Sequence, residues 1–179
     1  MHRGPHFSHC LALAPALFLG ILLTGCADRG APTALTAEGK IQASSHVAQA
    51  KYRAHLSGAE MVPPVETLAR GQAKVEVSAD RTEVWYRLNV SNLHEVVSAH
   101  IQRGAEGVNG PQVVELYSGP IQGHFSGVLA TGVFTAADLI GQWAGEPLET
   151  LLEALETEGL YVIVRTEAYP AGEIRGQIR

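Results

Sequence analysis

Two thiols, eight imidazoles and a scatter of carboxylates are the groups in this 179-residue chain that could do chemistry. Cys26 follows Leu23-Thr24-Gly25 at the end of an apolar run. Its sulfur is therefore placed for modification beside a membrane rather than for catalysis. Cys10 precedes the same run, so removal of the leader would leave Cys26 without a partner for an intramolecular disulfide. Ser57 and Ser126 each precede glycine, yet neither stands in the G-x-S-x-G turn that activates a serine nucleophile. Glu60 and Glu173 could be taken as a carboxylate pair. The plainer reading is that Glu173 and Arg175, two apart on a strand and so on one face, form a charge pair or bond to loop backbone. The chain has neither a phosphate-binding loop nor a dinucleotide fingerprint.

The run from Leu11 to Leu23 contains no ionisable side chain. It falls short of the ~20 residues of a lasting transmembrane helix and suits the ~7–15 of a secretory core. Leu23-Thr24-Gly25-Cys26 resembles the site cleaved by lipoprotein signal peptidase, which implies cleavage between Gly25 and Cys26 and acylation of the new terminal thiol. Residues 1–25 are then a signal peptide. Stable anchoring takes about two acyl chains, at about 0.8 kcal/mol per buried methylene, and a diacylglyceryl group with an N-acyl chain satisfies that. Ala27 rather than Asp follows the cysteine. In a host with two membranes this favours the outer one.

These features must be carried by ordered elements, and the patterning shows where they lie. Residues 26–50 are rich in Ala, Ser, Thr and Gln without hydrophobic periodicity and read as a lipidated tether. Residues 51–179 are enough for one domain with its own core. Lys plus Arg is 13 against 18 acids, a net charge of −5, and the basic residues are interleaved with acids. Nucleic acid is excluded as a partner on that ground.

Within the domain, period-two alternation predicts strands over Lys51–Ser57, Gly71–Ser78 and Thr82–Val90, and short runs punctuated by Gly and Pro turns predict strands over Val96–Ile101, Val113–Tyr117, His124–Val133, Leu160–Arg165 and Gly172–Arg179. Asp80-Arg81 should close a hairpin between the second and third. Thr135 with Asp138 three residues on predicts a capped helical turn. Leu148, Leu151, Leu152 and Leu155 predict an amphipathic helix that stops at Gly159. The resulting expectation is a mainly β fold, an antiparallel Greek-key sandwich with one or two short helices in a crossover.

Ala54-His55-Leu56-Ser57-Gly58, Glu60, Pro63-Pro64, Gly71, Ala99-His100-Ile101, Gly104, Asn109-Gly110-Pro111, Leu116, Asp138-Leu139, Tyr161-Val162 and Tyr169-Pro170-Ala171-Gly172-Glu173-Ile174-Arg175-Gly176-Gln177 occur in this order. Together they resemble the CHRD domain, named from chordin, across nearly all of Tyr52 to Ile178. The resemblance implies an immunoglobulin-like or superoxide-dismutase-like sandwich. It carries over no growth-factor partner, because in chordin that binding is attributed to separate cysteine-rich modules. Gly110, Gly172 and Gly176 are read as structural.

CHRD domains often have His-x-His where this chain has His100-Ile101-Gln102, and another His where it has Arg165. Two imidazoles there could hold a metal, but a glutamine amide is a poor ligand for copper or zinc and Arg165 would repel a cation. His100 remains, with His94 and His124 on other segments as candidate helpers. The leading expectation is a non-enzymatic cell-envelope lipoprotein without a cofactor, anchored to the membrane by lipid and binding a protein or glycan. The alternative is a copper- or zinc-binding or redox protein using His100 and neighbouring imidazoles. Trp85 suits a partner contact if exposed, or else lies under the Leu148–Leu155 helix.

Overall fold

A computed structural model describes residues 48–179. The expected signal peptide, Gly25, Cys26 and most of the expected tether lie outside the described residues. Six strands follow in order: β1 (Ala48–Ser57), β2 (Arg70–Ser78), β3 (Val84–Arg103), β4 (Gln112–Phe134), β5 (Leu160–Thr166) and β6 (Ile174–Gln177). One α-helix, α1 (Leu148–Glu156), precedes β5. β1 begins at Ala48, inside the stretch expected to be tether.

The strands pair in the order β2-β1-β6-β5-β3-β4, and β2 also pairs with β3. Five strands therefore close a ring, with β4 alongside β3. The fold is mainly β and antiparallel, as expected. The pairing describes a closed five-stranded barrel and does not confirm the Greek-key sandwich.

A ring of five strands in which every neighbour is antiparallel cannot close unless one strand reverses direction. β3 is that strand. Its first part, Val84–Ser91, pairs with β2, and its second part, Val96–Arg103, pairs with β5. Between them Asn92 and Glu95 adopt left-handed backbone (φ 56° and 49°), and the β3–β4 register slips repeatedly. Bulges and left-handed residues of this kind bend a strand. β4 follows β3 from Val84↔Phe134 to Gln102↔Gln112, so the hairpin turns back as a unit. The interruptions seen in the sequence at 91–95 and 118–123 are these bends, not breaks between separate strands. The hairpin expected at Asp80-Arg81 is present, with Val77 opposite Val84.

Inside the barrel, Leu56, Val75, Leu88, Leu93, Ile101, Val162, Val164 and Ile174 are buried in one core with Leu148, Leu151, Leu152 and Leu155 of α1. The leucines fall on one face because 3.6-residue periodicity puts them there. Arg81, at the β2–β3 turn, fixes the opposite face of the helix through Glu149 (2.7 Å) and Glu156 (3.3 Å). The capped turn at Thr135 is also as expected: Thr135 and Asp138 form a reciprocal capping box around Ala136–Asp138.

β5 is buried on both faces. Leu160, Val162 and Val164 face the main core, while Tyr161 and Ile163 pack with Met61 and Val65 in a second, smaller cluster. This outer cluster lies under the 58–69 loop. It is why β5 reads as a continuous apolar run rather than an alternation.

Candidate functional site

The polar residues of the family-like motifs gather on this covered outer face, where β3, β5 and β6 run side by side. Arg175 on β6 is the largest of the fully buried side chains. Its guanidinium carbon lies 3.8 Å from the centre of the Tyr161 ring. Nη2 donates to the carbonyls of Ala105 (2.9 Å) and Val108 (3.1 Å) in the β3–β4 loop. Gln177 donates to the carbonyls of Gly104 (3.0 Å) and Leu160 (2.9 Å). Gly110 N–H donates to the Tyr161 hydroxyl (3.0 Å), and Asn109 donates to Val62 O (2.7 Å). A desolvated cation is tolerated only where acceptors and a ring face replace water. Here those groups also dock the 104–111 loop.

Glu173 accepts hydrogen bonds from Thr67 (2.7 Å) and Thr166 (2.8 Å), tying the 58–69 loop to β5. Glu173 and Arg175 thus take separate partners, and of the two arrangements expected, Arg175 adopts the bond to loop backbone. Glu60, Pro63 and Pro64 are exposed in the loop above. Gly172 turns the chain into β6 with φ 131°. At Gly110 an added Cβ would come within 1.7 Å of Arg103 O, and at Gly176 within 2.3 Å of His55 O. No side chain fits at either position.

Next to this network is the cluster that contains His100. On β3, His100 is opposite Glu115 and Gln102 is opposite Gln112. Arg165 reaches in from β5. With the two amides oriented to satisfy both of their ends, Arg165 Nη2 donates to Gln102 Oε1 (2.9 Å) and to Gln112 Oε1 (3.1 Å). Gln112 donates to His100 Nε2 (3.2 Å), and Gln102 donates to Gly110 O (3.2 Å) and to the Tyr161 hydroxyl. The Glu115 carboxylate lies 3.7 Å from His100 Nε2. Burial, then the Arg165 charge, push the His100 pKa down, and Glu115 only partly opposes them.

The cluster does not fit a copper or zinc ion. Around His100 stand two neutral amides and a guanidinium with its own acceptors, so a metal would meet a fixed positive charge in place of imidazole or thiolate. Among the described residues no group of three or more His, Cys, Asp or Glu is arranged to hold a metal. The structure does bring two of the three candidate imidazoles together: His94 and His124 are cross-strand neighbours with ring centres 5.0 Å apart. It does not assemble them with His100.

The tryptophans divide. Trp143 is buried in the main core, with the Arg103 guanidinium 5.9 Å from its ring centre. Trp85 is half-buried between Glu76 and Val133 in the sheet. A cleft of about 530 Å³ opens beside Trp143, lined by Arg103, Gly104, Thr150, Glu153 and Thr157 among others.

A family model, the CHRD domain, matches residues 52–178. The chain belongs to the CHRD family. The match begins in β1 and runs past β6, so the CHRD domain comprises the whole barrel, its folded-back hairpin and α1. No curated protein and no solved structure matches the chain. Within the CHRD domain, sequence reasoning missed Tyr161, Gln112, Thr67, Thr166 and the anchoring role of Gln177. Tyr161 and Gln177 stood in the quoted motif, but Tyr161 was hidden in an apolar run. The two threonines carried no signal without the tertiary fold.

Proposed function

We propose that this protein is a lipid-anchored lipoprotein of the cell envelope whose CHRD domain is a non-enzymatic binding module for a protein or glycan. The observation that carries the reading is the engagement of the motif side chains with the fold itself. Arg175, Gln177 and Glu173 each bind backbone carbonyls or hydroxyls that close the outer face of the barrel. A general acid, base or nucleophile must instead be free to meet a substrate. The cleft beside α1 supports a binding role, since it is concave and has Arg103, Glu153, Thr150 and Thr157 on its lining. The leader supports the location: an apolar run ending in Leu23-Thr24-Gly25-Cys26, with Ala27 directing the protein to the outer of two membranes where the host has both.

Metabolic labelling with palmitate, followed by membrane fractionation, tests the anchor. The wild-type chain should be labelled and sediment with membranes, and Cys26→Ala should do neither. Chemical cross-linking of intact cells tests the module and should join the wild-type chain to a discrete envelope component. Turnover of an envelope polymer by the purified protein would contradict the non-enzymatic role.

A further inference from the structure

We infer that His94 and His124 form a two-imidazole chelating site for a divalent transition metal on the exposed bend of the β3–β4 hairpin. This site is separate from the His100 cluster and from the proposed role in partner binding. The two residues are directly opposite each other in the antiparallel register, both are exposed, and their rings meet at 70° with centres 5.0 Å apart. Imidazoles bound to one ion at the usual ~2.0–2.1 Å hold their ring centres about 4.5–5.2 Å apart for ligand angles between about 90° and 110°. The spacing needed for chelation is therefore present in the metal-free fold.

The bend also holds the pair in place. Asn92 and Glu95, on either side of His94, have left-handed backbone. Asn92 N–H donates to Ser126 Oγ (3.0 Å), and Gly123 N–H donates to Glu95 Oε1 (2.9 Å). These two links straddle the histidine rung, and the rung beside it places fully buried Leu93 opposite Phe125. Because the strands cannot drift apart there, a metal need order only the two exposed side chains. The Glu95 carboxylate adds negative charge beside the pair. Imidazole donors suit zinc, copper and nickel rather than magnesium or calcium, and water would complete the coordination.

A metal joining two strands of the native fold, and binding the unfolded chain less well, raises the unfolding temperature. The test is thermal unfolding of the whole chain in detergent, with and without zinc chloride or nickel chloride. The metal-induced rise should disappear in His94→Ala and in His124→Ala and persist in His55→Ala and His100→Ala. Copper(II) electron paramagnetic resonance on the same proteins should show two coordinated imidazole nitrogens that either substitution reduces. Absence of a rise at millimolar metal, or a rise that survives in the double variant, would overturn the site. The partner-binding role would stand in either case.

Discussion

The buried guanidinium of Arg175 stacks 3.8 Å from the Tyr161 ring centre, while the Tyr161 hydroxyl accepts the Gly110 N–H. One aromatic side chain thus supports a charge on its face and a loop at its edge. The motif residues around it serve the same end, holding the 104–111 loop against β5 and β6.

Tyr161→Phe keeps the ring and removes the hydroxyl. It leaves the Gly110 N–H and the Gln102 amide short of a partner in a region closed to water. A loss of about 1–2 kcal/mol in unfolding free energy is expected, with little effect on the helix–barrel core. Urea unfolding of the variant beside wild type checks it.

Gly110→Ala and Gly176→Ala should each destabilise the domain by more than about 3 kcal/mol, because the atoms met are backbone oxygens that cannot move aside. Soluble yield and circular dichroism at rising temperature would show this. A wild-type melting curve for either variant would contradict the close approach.

Acid should weaken the fold through His100. Its folded pKa lies below the ordinary value of about 6.5, owing to burial and Arg165. Below about pH 6.5 the unfolded chain therefore takes up a proton that the native state refuses. Stability is full above that pH and falls as the pH drops toward the folded pKa. His100→Gln should flatten the slope below about pH 6.5, as read from denaturant midpoints at successively lower pH.

Replacing the resident cation should open the His100 cluster to metal. In a chain already carrying His94→Ala, the pair Gln102→His and Arg165→His would supply imidazoles where an amide and a guanidinium now stand. Zinc or copper binding by isothermal titration should appear in that variant and be absent when Arg165 is kept.

The sequence displayed the parts of this molecule better than their closure. Period-two alternation marked β1, β2 and the first half of β3, and the four leucines of α1 lay on the predicted face, because these patterns report a local choice between core and solvent. The reversal of β3 was not legible. Residues 91–95 looked like a gap between two strands, and only the pairing with both β2 and β5 shows a single strand turned back on itself. Likewise Arg175 read as pairing with Glu173 or bonding to loop backbone, and the second holds, but the sequence could not say which loop. Its actual partners, Ala105 and Val108, offer backbone carbonyls, which no residue type announces. The opposition of His94 and His124 depends on the slipped register of the bent hairpin, which period-two counting cannot deliver.

The most direct test of the structural role given to the motif is a double-mutant cycle between Arg175 and Tyr161, using Arg175→Met and Tyr161→Leu with unfolding free energies as the readout. Arg175→Met should cost about 1.5–3 kcal/mol by leaving the Ala105 and Val108 carbonyls without their charged donor. The two changes should couple by about 0.5–2 kcal/mol, as expected for a desolvated cation over a ring. Near-wild-type stability in both single variants with no coupling, accompanied by loss of a binding or catalytic activity, would contradict that role and return these residues to a functional surface.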